Sequence, residues 1–314
     1  MTGRLPAHDP ADPVETAVIR GLVRSWPRRA TVRRTEPDLD GPTMDDLFDP
    51  ARADYPAALL PFTGHPVYEG LDGTARARIR SWAWIAYNKN VMDVEQDVVT
   101  PGFGLLFRDA FGTGLSDTAR ASVLQAMVDE EYHTLMHLNG SALVRRRRGW
   151  PLPDAALPDA LLVRRHRDAV AAADTPRAAA LTTLAYATVA ETSIGDYLAL
   201  IADDDTVQPV HRATIALHRR DECAHASVAA ELLVLVHAGL DARDRGTLIA
   251  ALRAGVDAFT ATDLSVWSAI LHAENVTGAD AMLREVAADP DRRRFLQDCT
   301  AIDRLLDRFA VPGP

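Results

Sequence analysis

Two stretches of the sequence decide the fold: MVDEEYHTLMH at residues 127–137 and HRRDECAHASVAAEL at residues 218–232. Each contains the pattern Asp-Glu-x-x-His, which places a carboxylate and an imidazole three residues apart. In a helix, residues with this spacing lie about 60° apart around the axis and ~4.5 Å apart along it, so both side chains share one face. Two such pairs on facing helices could hold a dinuclear metal site.

Helical geometry decides which glutamate of the first motif belongs to this face. Glu130 lies about 60° from His133 around the helix axis, whereas Glu131 lies ~160° away and points to the opposite side. In the second motif, three potential ligands fall within an arc of roughly 60°: His218, Glu222 and His225. The second helix therefore presents one continuous stripe of metal-binding groups.

Two further glutamates stand alone inside long apolar stretches. Glu95 continues a helical stripe through Trp84 and Asn88, and Glu191 continues one through Thr188. A carboxylate on a core-facing stripe is costly unless it is paired or bound to a metal. The candidate metal ligands are therefore seven: Glu95, Glu130, His133, Glu191, His218, Glu222 and His225.

The order of these features matches the ferritin-like arrangement, in which each of four helices supplies ligands that project inward. A single E-x-x-H motif is a chance occurrence in most helical proteins, and a lone glutamate can lie at a half-exposed rim. Two motifs, each preceded by a helix with one glutamate, are typical of the dimetal bundle. We predict an all-α, ferritin-like helical bundle with additional flanking helices and a dimetal site in the bundle core.

Hydrophobic periodicity of 3.6 residues predicts where the helices lie. Long helices are predicted near 72–98, 116–145, 175–202, 208–238 and 242–276, with shorter ones near 14–26, 158–173 and 290–309. Turn-forming segments such as TPGFG at 100–104 separate them. The two motifs lie on opposite sides of the proline-rich segment 150–158, so a shared site predicts one domain over 14–314, preceded by a flexible tail at 1–13.

The composition limits which classes of binding partner and which cellular compartment are expected. The 314-residue chain is 47% hydrophobic, which is ample for a core, and its net charge of −10 argues against nucleic acid or an anionic membrane as the main partner. Its two cysteines, Cys223 and Cys299, do not suggest a disulfide framework. The first twenty residues lack a signal peptide, and no apolar run approaches the ~18 residues of a membrane span. We expect a soluble cytoplasmic protein.

The ligand types point to the metal. Carboxylates with imidazoles suit iron or manganese better than an ion that prefers thiolates or oxygen alone. Four glutamates carry four negative charges, which two divalent ions would neutralise, so the reduced centre could be buried. Asp129 and Asp221 precede the motif glutamates, and each could fix the tautomer of a ligand histidine on the same or the facing helix. The alternative is that both are exposed acids in surface pairs.

The order and spacing of Glu95, Glu130-x-x-His133, Glu191 and His218-x-x-x-Glu222-x-x-His225 resemble the p-aminobenzoate N-oxygenase family of diiron oxygenases. The resemblance runs from about residue 80 to about residue 230. It implies that His218 is a third histidine ligand, one turn before Glu222. It also implies a homodimeric helical-bundle enzyme that uses O₂ to oxidise an amine nitrogen, typically of an arylamine, towards hydroxylamine, nitroso or nitro products.

The leading functional hypothesis is an O₂-dependent non-haem diiron N-oxygenase that acts on a small-molecule amine through a peroxo-diiron intermediate. Its cofactors are two iron ions cycling between Fe²⁺ and Fe³⁺, with O₂ as co-substrate. The sequence has no flavin or nicotinamide fingerprint, so a redox partner must serve as external electron donor.

Two alternatives use the same motifs. One is a ribonucleotide reductase small-subunit-like radical protein, which His218 and a C-terminus without tyrosine, DRFAVPGP, argue against. The other is a non-enzymatic ferritin-like iron-binding protein, and the long connections outside the bundle argue against a small storage cage.

No local motif identifies the residues that anchor the substrate. Cationic candidates lie in the predicted last helix: Arg292, Arg293, Arg294 and Arg304. Further candidates for the pocket or the surroundings of the ligands are His137, Tyr186, Thr188 and Tyr197. Ordinary core packing is an equally good interpretation of each of these residues.

Overall fold

The computed structural model describes residues 17–34, 47–292 and 300–310. Within these ranges the chain is helical, and its β structure is limited to an isolated parallel bridge between Ala53 and Val207. The predicted all-α class is therefore confirmed. Among the described helices, none combines the length and the apolar character that a membrane span requires. The tail predicted at 1–13 lies outside the described residues.

Twelve stretches of α-helix are numbered here in chain order, all within the described part of the chain. They are α1 (Ala17–Arg29), α2 (Pro66–Glu69), α3 (Gly73–Val94), α4 (Thr100–Phe107), α5 (Asp117–Arg148), α6 (Leu161–Ala171), α7 (Pro176–Ala202), α8 (Pro209–Gly239), α9 (Ala242–Thr260), α10 (Leu264–Ala273), α11 (Ala279–Ala288) and α12 (Thr300–Ala310).

Helices α3, α5, α7 and α8 form the bundle that contains the predicted ligands. α5 packs against α3 and α8, and α7 packs along α8. Outside the bundle, α9 packs against α7, and α1 contacts both α5 and α8. This arrangement confirms the predicted helical bundle with additional flanking helices.

Local sequence signals set the ends of the long helices. Asp72, Ser116 and Thr175 begin α3, α5 and α7, and each side chain accepts a hydrogen bond from a backbone N–H of the first turn. α5 ends at Arg148, where Gly149 adopts a left-handed φ of 67° and its N–H bonds back to the helix. The polar caps therefore fix where these three helices start, and hence their register.

The ligands form a polar layer between two apolar clusters. Along α5, Val123 and Ala126 belong to one cluster, and Met136 and Leu143 belong to the other. The motif Glu130–His133 lies between these two pairs, and the same division occurs along the other bundle helices. The predicted metal site is thus enclosed by packed hydrocarbon on both sides.

The segment TPGFG, predicted to interrupt the helices, is instead the start of α4. Pro101 lies in the first turn of this helix, where its missing N–H is not needed. Gly102 lies where α4 crosses α7, and a Cβ atom at this position would overlap the Cβ of Ala187. The glycine permits close helix packing rather than a turn, so this prediction was wrong.

Two other predicted extents also differ from the structure. The helix predicted over 242–276 is divided into α9 and α10, and Asp263 caps the second part by accepting a hydrogen bond from the N–H of Ser265. Residues 290–292 form a 3₁₀ turn, and the described part of the last helix begins at Thr300. Arg292 therefore lies before the last helix rather than on it.

α3 does not stop at the end of its α-helical part but continues into a π-helical segment, Glu95–Val99. A π turn contains more residues than an α turn, which changes the direction of the side chains that follow, and such turns are frequent at functional sites. Glu95 and Val98 are buried, whereas Gln96 and Asp97 are exposed. The π segment is the element that presents Glu95 to the bundle interior.

Candidate metal centre

The structure brings the seven predicted ligands together in the bundle interior, and none of them is more than 4% exposed. The π segment supplies one glutamate, α5 supplies a glutamate and a histidine, α7 supplies one glutamate, and α8 supplies the remaining three residues. Neighbouring side chains of this cluster approach within ion-pair distance, as described below.

Glu130 and Glu222 lie between the two motif histidines. Glu130 Oε2 is 3.1 Å from His133 Nδ1, and its Oε1 is 2.6 Å from His225 Nδ1. Glu222 Oε1 is 3.4 Å from His133 Nδ1 and 3.3 Å from His225 Nδ1. Each glutamate therefore faces both imidazoles, which is the placement that would let it bridge two metal ions.

The other three residues divide unequally between the two sides. Glu95 Oε1 lies 3.8 Å from His133 Nδ1 and 3.4 Å from His218 Nε2. Glu191 Oε2 lies 3.6 Å from His225 Nδ1. The His133 side thus has two imidazoles and one further carboxylate, whereas the His225 side has one imidazole and one further carboxylate.

Several donor atoms of the cluster are buried without a hydrogen-bond partner. They are Glu95 Oε1, Glu130 Oε1, Glu191 Oε2, Glu222 Oε2 and His225 Nδ1. A buried polar atom left unpaired costs about 1–3 kcal/mol, and more when it is charged, so atoms of this kind are expected to have another partner. Carboxylate oxygens with imidazole nitrogens are donors that iron or manganese accept. The residues present therefore fit a dimetal group.

Two sets of these residues could each hold a metal ion, because their donor atoms lie within 4.8 Å of one another. The first set is Glu130, His133, Glu222 and His225; the second is Glu95, His137 and His218. The second set includes His137, which the sequence offered only as a pocket or surrounding residue.

The hydrogen bonds of His137 favour an orienting role. Asn88 Nδ2 donates to the carbonyl of Trp84 at 2.7 Å, which leaves Asn88 Oδ1 facing His137 Nδ1 at 2.7 Å. His137 Nδ1 therefore donates, and His137 Nε2 accepts from Nδ1 of His218, 2.9 Å away. His218 consequently keeps the lone pair of its Nε2, which points towards the carboxylates.

Asp129 and Asp221 each hold the motif histidine of the facing helix. Asp129 Oδ2 lies 3.1 Å from His225 Nε2, and Asp221 Oδ2 lies 3.3 Å from His133 Nε2. Both aspartates are fully buried, so they are not the exposed surface acids of the alternative interpretation. An N–H held at Nε2 leaves the Nδ1 lone pair of each histidine directed at the glutamates.

Helix α1 and the residues after it contact both aspartates, which the sequence did not predict. Trp26 Nε1 lies 3.0 and 2.9 Å from the two carboxylate oxygens of Asp129. Arg29 Nη1 donates to Asp221 at 3.0 Å, and the backbone N–H of Thr31 donates to the same carboxylate at 3.1 Å. The available sequence signal was weak: an arginine-rich amphipathic helix with no acidic residue.

Burial and mutual charge shift the protonation of the cluster. Burial raises the pKa of Glu95 and of Glu191 well above the usual carboxyl range. Burial opposes ionisation of Glu222 too, but the charges and hydrogen bonds of His225 and His218 together outweigh it and lower that pKa. Burial alone would lower the pKa of His225, whereas Glu130 and Glu222 raise it well above the usual range. Metal ions binding here would displace shared protons.

A cavity of about 580 Å³ lies beside the metal cluster, along α3 and α7. Its lining includes Val94, next to the predicted ligand Glu95, and Ile194, one turn after the predicted ligand Glu191. Tyr87 also lines it, and the hydroxyl of this residue is buried without a hydrogen-bond partner. The volume is in the range of small-molecule sites, so this cavity is the candidate substrate pocket.

The structure places two of the candidate anchoring residues on the cavity wall, Tyr197 and Arg292. The hydroxyl of Tyr197 lies 2.8 Å from that of Tyr55, which also lines the cavity. Arg292 Nη1 donates to the backbone carbonyl of Pro61 at 2.6 Å, so this guanidinium is already engaged at the edge of the cavity.

The remaining candidates lie elsewhere. Tyr186 packs against the ring of His166, and Thr188 donates to the carbonyl of Leu184 in its own helix, so both serve the core. Arg304 is exposed on α12. Arg293, Arg294 and Cys299 lie outside the described residues, and Cys223 is exposed and free.

Comparisons with known proteins agree with this geometry. The family model described as P-aminobenzoate N-oxygenase AurF matches residues 12–309. The 4-aminobenzoate N-oxygenase of Streptomyces thioluteus is 31% identical over 299 residues, which cover 95% of this chain and 88% of that protein. The similarity therefore extends beyond the bundle to the flanking helices. The chain belongs to the p-aminobenzoate N-oxygenase family, and it is an oxygenase enzyme.

Proposed function

We propose that this protein is an O₂-dependent non-haem diiron N-oxygenase that oxidises an arylamine at its nitrogen. The observation that carries this proposal is the buried cluster in which Glu130 and Glu222 face both His133 and His225. The similar Streptomyces protein is named for a reaction on 4-aminobenzoate, which supports an arylamine as the substrate class. Together these favour an oxygenase over a radical-generating or iron-storing relative.

Charge supports two divalent ions in the reduced protein. The four glutamates of the cluster carry four negative charges when ionised, and two Fe²⁺ ions would neutralise them in a site that excludes water. When bound, the irons would supply the O₂ activation and electron transfer that no side chain provides. We propose iron rather than manganese because the reaction requires a metal that is readily reoxidised by O₂.

The ligands would make the two metal positions unequal. His133 and His218 both direct a lone pair at the first position, with Glu95 beside them, whereas His225 and Glu191 serve the second. An additional neutral donor increases electron density at a metal without adding negative charge. We infer that this asymmetry adapts the first position to oxidation of an electron-rich nitrogen.

The cavity favours an uncharged amine. Its wall near the cluster is apolar at Val94 and Ile194, and an unpaired ammonium group would be costly to bury there. Arylamines are neutral at pH 7, whereas alkylamines are protonated, so the wall selects the aromatic class.

We further propose that residues 14–314 act as one domain, that the protein is a cytoplasmic homodimer, and that a separate redox partner supplies electrons. The meeting of residues from both sides of the segment 150–158 in one cluster supports the single domain. Light scattering during size-exclusion chromatography would measure the oligomeric state.

The function is tested by loading the protein with Fe²⁺ without oxygen, counting the bound iron, and adding ¹⁸O₂ with a panel of amines. We expect about two irons per chain, and mass spectrometry should find ¹⁸O on the nitrogen of 4-aminobenzoate or an uncharged aniline, but not on an alkylamine of similar size. Many irons per chain would indicate storage. Two bound irons without any nitrogen oxidation across the panel would overturn the proposal.

A further inference from the structure

The two aspartates behind the motif histidines differ in what contacts them from α1. Asp221 receives the guanidinium of Arg29 at 3.0 Å and the backbone N–H of Thr31 at 3.1 Å. Asp129 receives the indole N–H of Trp26 at 2.9 Å, and Arg29 Nη2 lies farther from it, at 3.9 Å. An indole is among the side chains that carry electrons most readily, whereas a guanidinium does not. The two halves of the site therefore also differ in the α1 side chain that hydrogen-bonds to the aspartate behind the motif histidine.

A continuous hydrogen-bonded path leads from Trp26 to the ligand cluster. Trp26 Nε1 lies 2.9 Å from Asp129 Oδ2, which in turn lies 3.1 Å from His225 Nε2. The other nitrogen of that imidazole faces Glu130 and Glu222, where a metal ion would bind. Asp129 and His225 are buried, whereas Trp26 is half-buried. The indole is therefore the outer end of the path.

The described residues of α1 and the turn after it, at this outer end, are basic. Residues 17–34 contain six arginines and no acidic residue, although the whole chain has a net charge of −10. Arg24 and Arg28 are exposed on α1, and the exposed Arg33 holds its guanidinium 5.9 Å from the centroid of the Trp26 ring. We name these three arginines the arginine surface. Positive charge concentrated on an acidic protein attracts an acidic partner and orients its approach.

We propose that the arginine surface docks a small acidic one-electron carrier protein, and that electrons reach the metal centre through Trp26, Asp129 and His225. This inference rests on the proposed function, since it requires bound iron. Each reduced carrier loses one electron and one Fe³⁺ becomes Fe²⁺, so two carriers reduce the dinuclear centre in turn. The protons of the path stay on their atoms, and no covalent bond forms or breaks.

Docking is tested with a plant-type [2Fe–2S] ferredoxin as the acidic carrier. Its binding to the protein without iron is measured by calorimetry, and its reduction of the diferric protein by stopped-flow absorbance. Raising the ionic strength from about 0.01 M to about 1 M shortens the Debye length from ~30 Å to ~3 Å, and should weaken binding and slow reduction. Arg24→Glu combined with Arg28→Glu replaces the two arginines of the arginine surface that lie on α1. Association of this variant should slow on the order of tenfold or more at low salt.

A matched control changes the net charge equally at other places. Arg253→Glu with Arg284→Glu alters exposed arginines on α9 and α11, and association should stay close to the wild-type rate. If Arg24→Glu with Arg28→Glu binds the ferredoxin as well as this control does, or if ionic strength has no effect on the wild type, the docking surface is wrong.

The path itself is tested with Trp26→Phe, which keeps an aromatic ring but removes the donor to Asp129. Ferredoxin binding and iron content should be unchanged, while reduction within the complex should slow ~10–100-fold, the range typical for loss of a group behind a metal ligand. Dithionite, a small reductant that needs no docking, should reduce this variant at the wild-type rate. Trp150→Phe, at a tryptophan that stacks with Arg78, is the control and should behave as wild type.

Two results would overturn the path. One is a Trp26→Phe protein that ferredoxin reduces at the wild-type rate. The other is a variant that loses iron and is slowed equally with ferredoxin and with dithionite, because Trp26 would then only position Asp129. A wild-type protein that binds two irons, is reduced by dithionite and still oxidises no amine would contradict the proposed function instead.

Discussion

Glu130 Oε1 and His225 Nδ1 lie 2.6 Å apart in the bundle core, yet neither atom has a hydrogen-bond partner of suitable geometry. The two side chains come from different helices, α5 and α8, so their approach is a property of the tertiary fold. Two buried donor atoms this close together, with no hydrogen bond between them, are the arrangement expected of ligands around a shared cation.

Removing either carboxylate that faces both imidazoles should therefore lower iron occupancy. Glu130→Ala or Glu222→Ala deletes a donor that faces both imidazoles, and the remaining ligands should bind substantially less iron per chain. Iron is measured by a colorimetric assay after gel filtration. Glu131→Ala is the internal control, since Glu131 is exposed and receives only a hydrogen bond from Gln96 at 3.3 Å. Full occupancy in both the Glu130 and the Glu222 variant would refute the assignment.

Asp129→Asn and Asp221→Asn test whether the buried aspartates fix the histidine tautomers. An amide is nearly the same size but lacks the charge that favours an N–H at Nε2 of the facing histidine, so metal affinity or activity should fall ~10–100-fold while the fold is kept. Competition with a chelator measures the affinity, and circular dichroism measures the fold. Asp196→Asn, at an exposed position of α7, should have no effect. Wild-type affinity in both buried variants would show that the aspartates do not orient the ligands.

His218 should matter more for the reaction than for metal retention. His218→Ala leaves six of the candidate ligands, so iron should be partly kept, but amine oxidation should be lost or misdirected because the first metal position loses a neutral donor. Asn88→Leu removes only the acceptor that fixes His137, and through it the tautomer of His218, so a smaller loss of ~10–100-fold is expected. Iron content and product are measured together. A His218→Ala enzyme with the wild-type rate would contradict the role of this residue.

His211 should make the fold sensitive to acid. Burial lowers its pKa to about 4; its ring stacks on Trp84 with centroids 3.8 Å apart, and its Nε2 has no partner. The unfolded chain, with a pKa of ~6.5, binds this proton more readily, so the free energy of unfolding is highest above ~6.5 and decreases as the pH falls towards 4. His211→Phe should reduce the decrease in the free energy of unfolding between pH 7 and pH 4.5 by up to about 3 kcal/mol. Urea unfolding at the two pH values measures this difference. An unchanged pH dependence would contradict it.

The ligand stripes could be predicted because helical phase is a local property. Glu130 faces inward and Glu131 faces solvent, as the 3.6-residue period requires, and the structure confirms both orientations. The bundle class followed from the order of four ligand-bearing helices. The pairing of Asp129 with the facing helix could not be decided from the spacing alone, since either helix was within reach.

What could not be predicted depends on contacts between distant segments. Trp26 and Arg29 reach the aspartates only because α1 packs across α5 and α8, and no periodic spacing connects them to the motifs. Pro101 and Gly102 are typical of turns as much as of helix starts and tight helix crossings. Only the contact of Gly102 with Ala187 on α7 shows that this segment is a helix start at a tight helix crossing rather than a turn.

The π-helical segment Glu95–Val99 should tolerate substitution at its exposed positions but should not tolerate a deletion. Gln96 and Asp97 are exposed, so replacing either side chain should cost little. Deleting one of them would return this stretch to α-helical spacing and turn α4 by about 100° relative to α3. Gly102 would then no longer face Ala187, although the sequence would still contain every predicted ligand of the cluster. Residues 96 and 97 can therefore change in type, whereas the length of the segment must be kept.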